Sequence, residues 1–238
     1  MEDFDKKIGD ILFDGVEQKP MTYIAIVLDS SASMHKIANE IIGGFNSQLE
    51  LFKEKSKETP VKLSVVTFDT NVRPVMWDKE PNSVLKLSEN TYVPTGMTAL
   101  CDAVGDVISH YSTIAEDDKE AAFLIVIMSD GEENASQRYT TTRIKELITK
   151  YTDTTMWTFT YLGANQNMWE ISETFGIAKG NTMAFSATKA GVNEAYTNQN
   201  SAFDGYLTSR GISGSTGSHG VGGTTTFTNT KNFYYEQT

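Results

Sequence analysis

The sequence predicts an α/β domain of three layers, doubly wound around a mostly parallel six-stranded sheet with one antiparallel edge strand. Three observations carry that expectation. The runs "TYIAIVLD" (22–29) and "AAFLIVIMSD" (121–130) are almost continuously apolar and rich in β-branched residues, which suits strands covered on both faces. Strand-like and helix-like segments alternate from residue 22 to about residue 208, the order that parallel crossover units require. "NVRPVMW" (71–77) follows "VKLSVVTFD" (61–69) after a gap too short for a crossover, so the two read as a hairpin.

The elements follow in chain order. Behind the first strand, Ile37, Ile41, Phe45, Leu49 and Phe52 recur at spacings of three and four, one apolar stripe of a helix. Gly43 and Gly44 interrupt it at a cost of about 1 kcal/mol each, which points to close packing there. The hairpin comes next, and Pro74, with no N–H to donate, fits its outer strand. Leu100, Val104, Val107, Ile108 and Tyr111 form a second helical stripe before strand 121–130. Ile144, Leu147, Ile148 and Tyr151 form a third. "TTMWTFTYLG" (154–163) reads as a strand and "NMWEISETFG" (167–176) as a short helix that Gly176 stops. "NTMAFSA" (181–187) closes the sheet, and Val192, Tyr196, Phe203 and Leu207 support a last helix ending near Gly211.

Residues 1–20 are thus an N-terminal segment, 21–210 the folded domain, and 211–238 a Gly/Ser/Thr-rich tail. Low complexity of that kind is expected to be flexible, with the aromatic end "FYYEQT" a lesser candidate for docking or adding a strand. A net charge of −11 excludes a non-specific nucleic-acid binder, which needs a basic face. No apolar run reaches the roughly 18 residues of a membrane span, and the charged first twenty residues lack a secretory apolar stretch. Cys101 is the only cysteine, so neither an internal disulfide nor a thiolate zinc site can form. The expectation is a cytoplasmic protein with no nucleic-acid and no membrane partner.

Two of the most apolar strands end in aspartate, Asp29 and Asp130. In doubly wound sheets ligands bind at the carboxyl ends of strands where the strand order reverses, so both carboxylates are expected in one crevice. "IVLDSSASM" (26–34) adds Ser30, Ser31 and Ser33, and "VPTGMTALCDAV" (93–104) brings Thr95 and Thr98 in front of the second helix. A helix N-cap needs one such oxygen, and this stretch offers several. Carboxylates and hydroxyls without imidazole or thiolate suit hard cations, Mg²⁺ or Mn²⁺ before Ca²⁺. A divalent ion also relieves the repulsion between two close carboxylates.

Asp29-Ser30-Ser31-Ala32-Ser33 resembles the Asp-x-Ser-x-Ser signature of the von Willebrand factor A (VWA) domain, a Rossmann-like fold. Thr98 in "TGMTAL" and Asp130 in "SDG" resemble the other two parts of that family's metal-ion-dependent adhesion site (MIDAS). The likeness covers roughly residues 20–208 and is nearest to intracellular bacterial and bacteriophage members, tellurite-resistance-type ones included. It implies that Ser31, Ser33 and Thr98 coordinate Mg²⁺ through hydroxyls, while Asp29 and Asp130 bind it directly or through water. It also implies a protein-binding adaptor or scaffold, in which an Asp or Glu of a partner protein takes the open position on the ion. The last helix, roughly 188–208, is the element that shifts in some relatives. One departure is Ala32, where the family commonly has glycine; its methyl restricts φ but removes no ligand. Thr95 competes with Thr98, which is preferred because "ALCDAV" runs straight on into the helix.

Two other functions fit part of this pattern. A haloacid-dehalogenase-like, Mg²⁺-dependent phosphohydrolase also places an aspartate after its first strand, but usually with a second aspartate two residues on, where Ser31 stands. No Gly-x-Ser-x-Gly elbow, no Gly-x-x-x-x-Gly-Lys loop and no base beside a nucleophile is evident, so an enzyme is not expected. A structural assembly protein with a stabilising metal is the other alternative. Blander roles fall to the remaining polar residues: Glu132 and Glu133 solvated, Asp102 at the rim of the site, and Asp69 in the hairpin turn. His35, His110 and His219 read as surface or packing residues, and Cys101 as a small buried hydrophobe.

Overall fold

The computed structural model describes residues 19–213 and 231–234, so the first eighteen residues and most of the expected tail lie outside the described residues. Six strands form the sheet: β1 (Thr22–Asp29), β2 (Val61–Phe68), β3 (Val72–Lys79), β4 (Ala122–Ser129), β5 (Trp157–Ala164) and β6 (Thr182–Phe185). Their order is β3-β2-β1-β4-β5-β6, parallel throughout except for β3, which pairs antiparallel with β2 at one edge. This is the expected doubly wound α/β sheet.

The helices are α1 (Ala38–Lys55), α2 (Leu100–Asp117), α3 (Thr141–Thr152), α4 (Met168–Phe175) and α5 (Lys189–Ser213). A 3₁₀ turn, Ala32–Ile37, leads into α1. The central strands read as uninterrupted apolar runs because successive side chains enter different cores. In β1, Ile24, Ile26 and Leu28 pack with α1 and α5, while Ala25 and Val27 join the core under α2, α3 and α4. Gly44 explains itself there: a β-carbon would lie inside the Tyr196 ring of α5, so the two helices can approach only over a glycine. Pro74 sits on β3 opposite Val66, in the strand whose outer side needs no ladder donor.

One expectation is corrected. The end of the tail was expected to be disordered, yet residues 231–234 dock on the body. Phe233 is buried against Phe203 and Tyr206 of α5, with ring centroids 5.6 and 5.9 Å away. Its N–H donates to Asn181 Oδ1 at 2.8 Å, and that of Tyr234 to the Gly180 carbonyl at 3.0 Å. Two aromatics bury enough apolar surface to hold a short segment whose neighbours in sequence are polar. No described helix is long and apolar enough to cross a membrane.

Candidate metal centre

The strand order reverses between β1 and β4, and the register there places Leu28 beside Met128. The next residues on the two strands, Asp29 and Ser129, are therefore neighbours, and Ser129 Oγ donates to Asp29 Oδ2 at 2.5 Å. Asp130 follows one residue later. The topology thus puts both predicted carboxylates at one mouth of the sheet.

Asp29 is fully buried, and its other oxygen accepts the Ser31 N–H at 2.7 Å. Ser31 occupies the N-cap position of the 3₁₀ turn but makes no side-chain capping bond. Its hydroxyl lies instead 3.0 Å from that of Ser33, and Ser33 Oγ donates to Asp130 Oδ1 at 2.5 Å. Thr98 arrives from the far side, buried, just ahead of α2. A β-carbon built on Gly131 would stand 2.9 Å from Thr98 Oγ1 and 3.7 Å from Asp29 Oδ2. Asp29, Ser31, Ser33, Thr98 and Asp130 therefore lie together at one end of the sheet, where a side chain at position 131 would crowd Thr98 Oγ1. Ser30 turns away: its hydroxyl donates to the Phe68 carbonyl at 3.0 Å. Thr95 is exposed, and its N–H serves only to tie its loop to the Ser30 carbonyl at 2.7 Å. Ala32 needs no positive φ, and its N–H bonds to Gly96 O at 3.2 Å, so the missing glycine costs the loop nothing.

The electrostatics favour a cation. Burial pushes the Asp29 carboxyl above its ordinary value; hydrogen bonds from Ser129 and Ser31 offset this only in part, and the charge of Asp130 adds to it. Burial likewise pushes Asp130 up, against the hydrogen bond from Ser33. Two carboxylates with three hydroxyls form an oxygen-only donor set. Adjacent oxygens around Mg²⁺ stand about 3 Å apart, given metal–oxygen distances near 2.1 Å, and the Ser31–Ser33 separation of 3.0 Å matches that spacing. Among the described residues no cluster of three or more His, Cys, Asp or Glu side chains gathers, so any ion held here relies on the hydroxyls.

Sequence reasoning missed the residues that hold this set in place. Tyr92 OH donates to the Asp29 carbonyl at 2.5 Å, and Gln166 Nε2 to the Gly131 carbonyl at 2.9 Å. Asn134 Oδ1 accepts the Thr98 N–H at 2.9 Å, while its own N–H bonds back to the Thr98 carbonyl at 3.0 Å. Glu133, expected in solvent, instead accepts from the N–H groups of Cys101 (2.7 Å), Ala135 (3.0 Å) and Ser136 (2.8 Å) and from Ser136 Oγ (2.6 Å). Asp102, expected at the rim, is buried on α2 and accepts the N–H groups of Gln137, Arg138 and Tyr139. Asp69 caps the hairpin turn, as expected, with a 2.8 Å bond from Asn71 N. Cys101 is buried and its thiol is pushed up to about 12 by burial, which keeps it inert.

Comparison with family models gives no match, and comparison with curated protein sequences gives none. Solved structures do resemble the chain. Manganese-loaded TRAP from Plasmodium vivax has a TM-score of 0.54 at 16% identity, over 75% of this chain and 72% of that one. Proximal thread matrix protein 1 of the mussel byssus, with a zinc-occupied MIDAS motif, has a TM-score of 0.53 at 13% identity, over 75% and 47%. The ArnB paralog VWA2 from Sulfolobus acidocaldarius has 0.52 at 14%, over 78% and 45%. The chain thus spans less than half of the last two proteins. At such identities the likeness speaks for the fold, and the fold is that of the VWA domain.

Proposed function

We propose that this chain is a protein-binding module that works through a divalent cation, in the manner of an adaptor. Asp29, Ser31, Ser33, Thr98 and Asp130 hold Mg²⁺, and an Asp or Glu of a partner protein completes the site. The observation that carries the reading is the gathering of these five side chains beside Gly131 at one end of the sheet. Mn²⁺ fits the same oxygens, whereas Ca²⁺ prefers more ligands at longer distances. Bound there, the ion supplies an electrophilic vertex for an incoming carboxylate. The chain's own residues do the rest: Ser129 and Ser31 N–H orient Asp29, Asn134 fixes Thr98, and Gly131, without a side chain, does not crowd the Thr98 hydroxyl.

The phosphohydrolase alternative lacks support in this geometry. No second acid stands two residues after Asp29; Ser31 fills that position, and its hydroxyl lies against that of Ser33. Calorimetric titration with Mg²⁺ and Mn²⁺ tests the proposal. The wild-type chain is expected to take up one ion and Asp29→Ala none, with chelator-reversible partner capture lost in the same variant. Uptake undiminished by that substitution would refute the assignment.

A further inference from the structure

A cation at Thr98 faces an electrostatic difficulty. Thr98 lies two residues before α2, an 18-residue helix whose N-terminus carries the equivalent of roughly half a positive charge. Helix N-termini attract anions and oppose cations. The cap residue of α2, Ala99, has no side-chain acceptor to cover the free N–H groups.

The loop after Asp130 supplies what is missing. Glu133 Oε2 accepts the Cys101 N–H at 2.7 Å, and Ser136 Oγ accepts that of Asp102 at 2.9 Å. Asn134 brackets the Thr98 peptide from both sides. From the helix, Asp102 clips the far end of the same loop through the N–H groups of residues 137–139, and the Tyr139 ring lies where a side chain at Gly105 would have to be. Glu133 thus sits on the N–H groups of the helix end nearest Thr98, while Asp102, also in the first turn of α2, turns its oxygens to the N–H groups of residues 137–139.

We propose that Glu133 is a positioning residue for the cation: it neutralises the N-terminus of α2 beside Thr98 and, with Asn134, locks Thr98 against the Asp130 loop. This rests on the metal reading above and adds a residue that touches no ligand atom. Hydrogen bonds outweigh burial at Glu133 and hold its carboxyl below the usual range, so the compensating charge is present at neutral pH.

The test is Mn²⁺ titration calorimetry on the full chain, with unfolding of the metal-free protein followed in parallel. Glu133→Gln is expected to raise the Mn²⁺ dissociation constant about 10- to 100-fold, as loss of a supporting partner does at other metal centres. The gap should narrow as ionic strength rises, because a charge effect is screened and lost packing is not. Asp102→Asn, which removes a second carboxylate of the first turn whose oxygens face residues 137–139 and not the N–H groups beside Thr98, should weaken the metal-free fold comparably yet raise the dissociation constant clearly less than Glu133→Gln does. If Glu133→Gln fails to fold, Asn134→Ala and Asn134→Asp replace it, with the aspartate, which keeps an acceptor for Thr98 N–H, expected to retain more affinity than the alanine. No uptake by wild type would bring down the metal reading and this inference together. Normal wild-type uptake with an unchanged constant in Glu133→Gln, or an equal loss in Asp102→Asn, would overturn this inference alone.

Discussion

Each acidic side chain near the crevice owes its role to the donors that surround it. Asp29 and Glu133 are both carboxylates in the same region, but burial wins at the first and hydrogen bonds win at the second. Asp102 behaves like Glu133. Burial alone would raise its carboxyl, but the N–H groups of Gln137, Tyr139 and Arg138 and the Arg138 charge outweigh burial and hold it low. A depressed acid stabilises the fold above its unfolded value of 3.8, and that contribution disappears as pH falls through the lower folded value. Asp102→Asn should therefore cost on the order of 2 kcal/mol at neutral pH and progressively less at acid pH, below 3.8. Urea denaturation of both proteins at the two pH values checks this, and a gap that did not shrink would contradict the assignment. The five candidate ligands were legible in the sequence because each follows a strand or precedes a helix that local pattern reveals. Glu133 was misread because its partner, Cys101, lies 32 residues away, and nothing in "SDGEEN" distinguishes a capping glutamate from a solvated one.

Among the elements, α1 shows how tertiary packing decides the fate of like residues. Gly43 and Gly44 stand side by side and carry the same intrinsic penalty. A β-carbon at Gly43 would meet nothing within 4 Å, whereas one at Gly44 would collide with the Tyr196 ring. Gly43→Ala should stabilise the protein by about 0.5–1 kcal/mol, and Gly44→Ala should destabilise it by about 1–3 kcal/mol through overpacking. Thermal unfolding of the two variants checks the pair, and equal shifts would mean that α5 does not pack as described. The stripes of α1 and α2 were fully readable, since every apolar residue assigned to them is buried. The 3₁₀ turn Ala32–Ile37 was not read, because the hydroxyls that precede it could as well have capped an ordinary helix.

At the scale of the whole molecule, the chain end closes onto the body. Phe233 buries its ring among Phe203, Tyr206 and Tyr234, and Asn181 serves both ends of that contact: its amide donates to the Phe159 carbonyl and its oxygen accepts from Phe233 N–H. Phe233→Ala should cost about 3 kcal/mol, the lower end for a buried phenylalanine, and should lower hydrogen-exchange protection along α5. Denaturant unfolding with exchange measurements checks this; unchanged protection would show that the docked segment bears no load.

By itself the sequence determined the layer architecture and the antiparallel edge, and it singled out the five oxygen-bearing side chains as candidates. Those follow from apolar periodicity and from what terminates each run, and both are local properties of the chain. Tertiary structure alone decided that Ser30 turns away while Ser31 and Ser33 face Asp130, that Glu133 and Asp102 fasten a loop to α2, and that Phe233 docks. The reason is physical: whether a polar side chain faces solvent or a partner depends on which donors stand within about 3 Å of it, and those donors come from distant parts of the chain that only folding brings together.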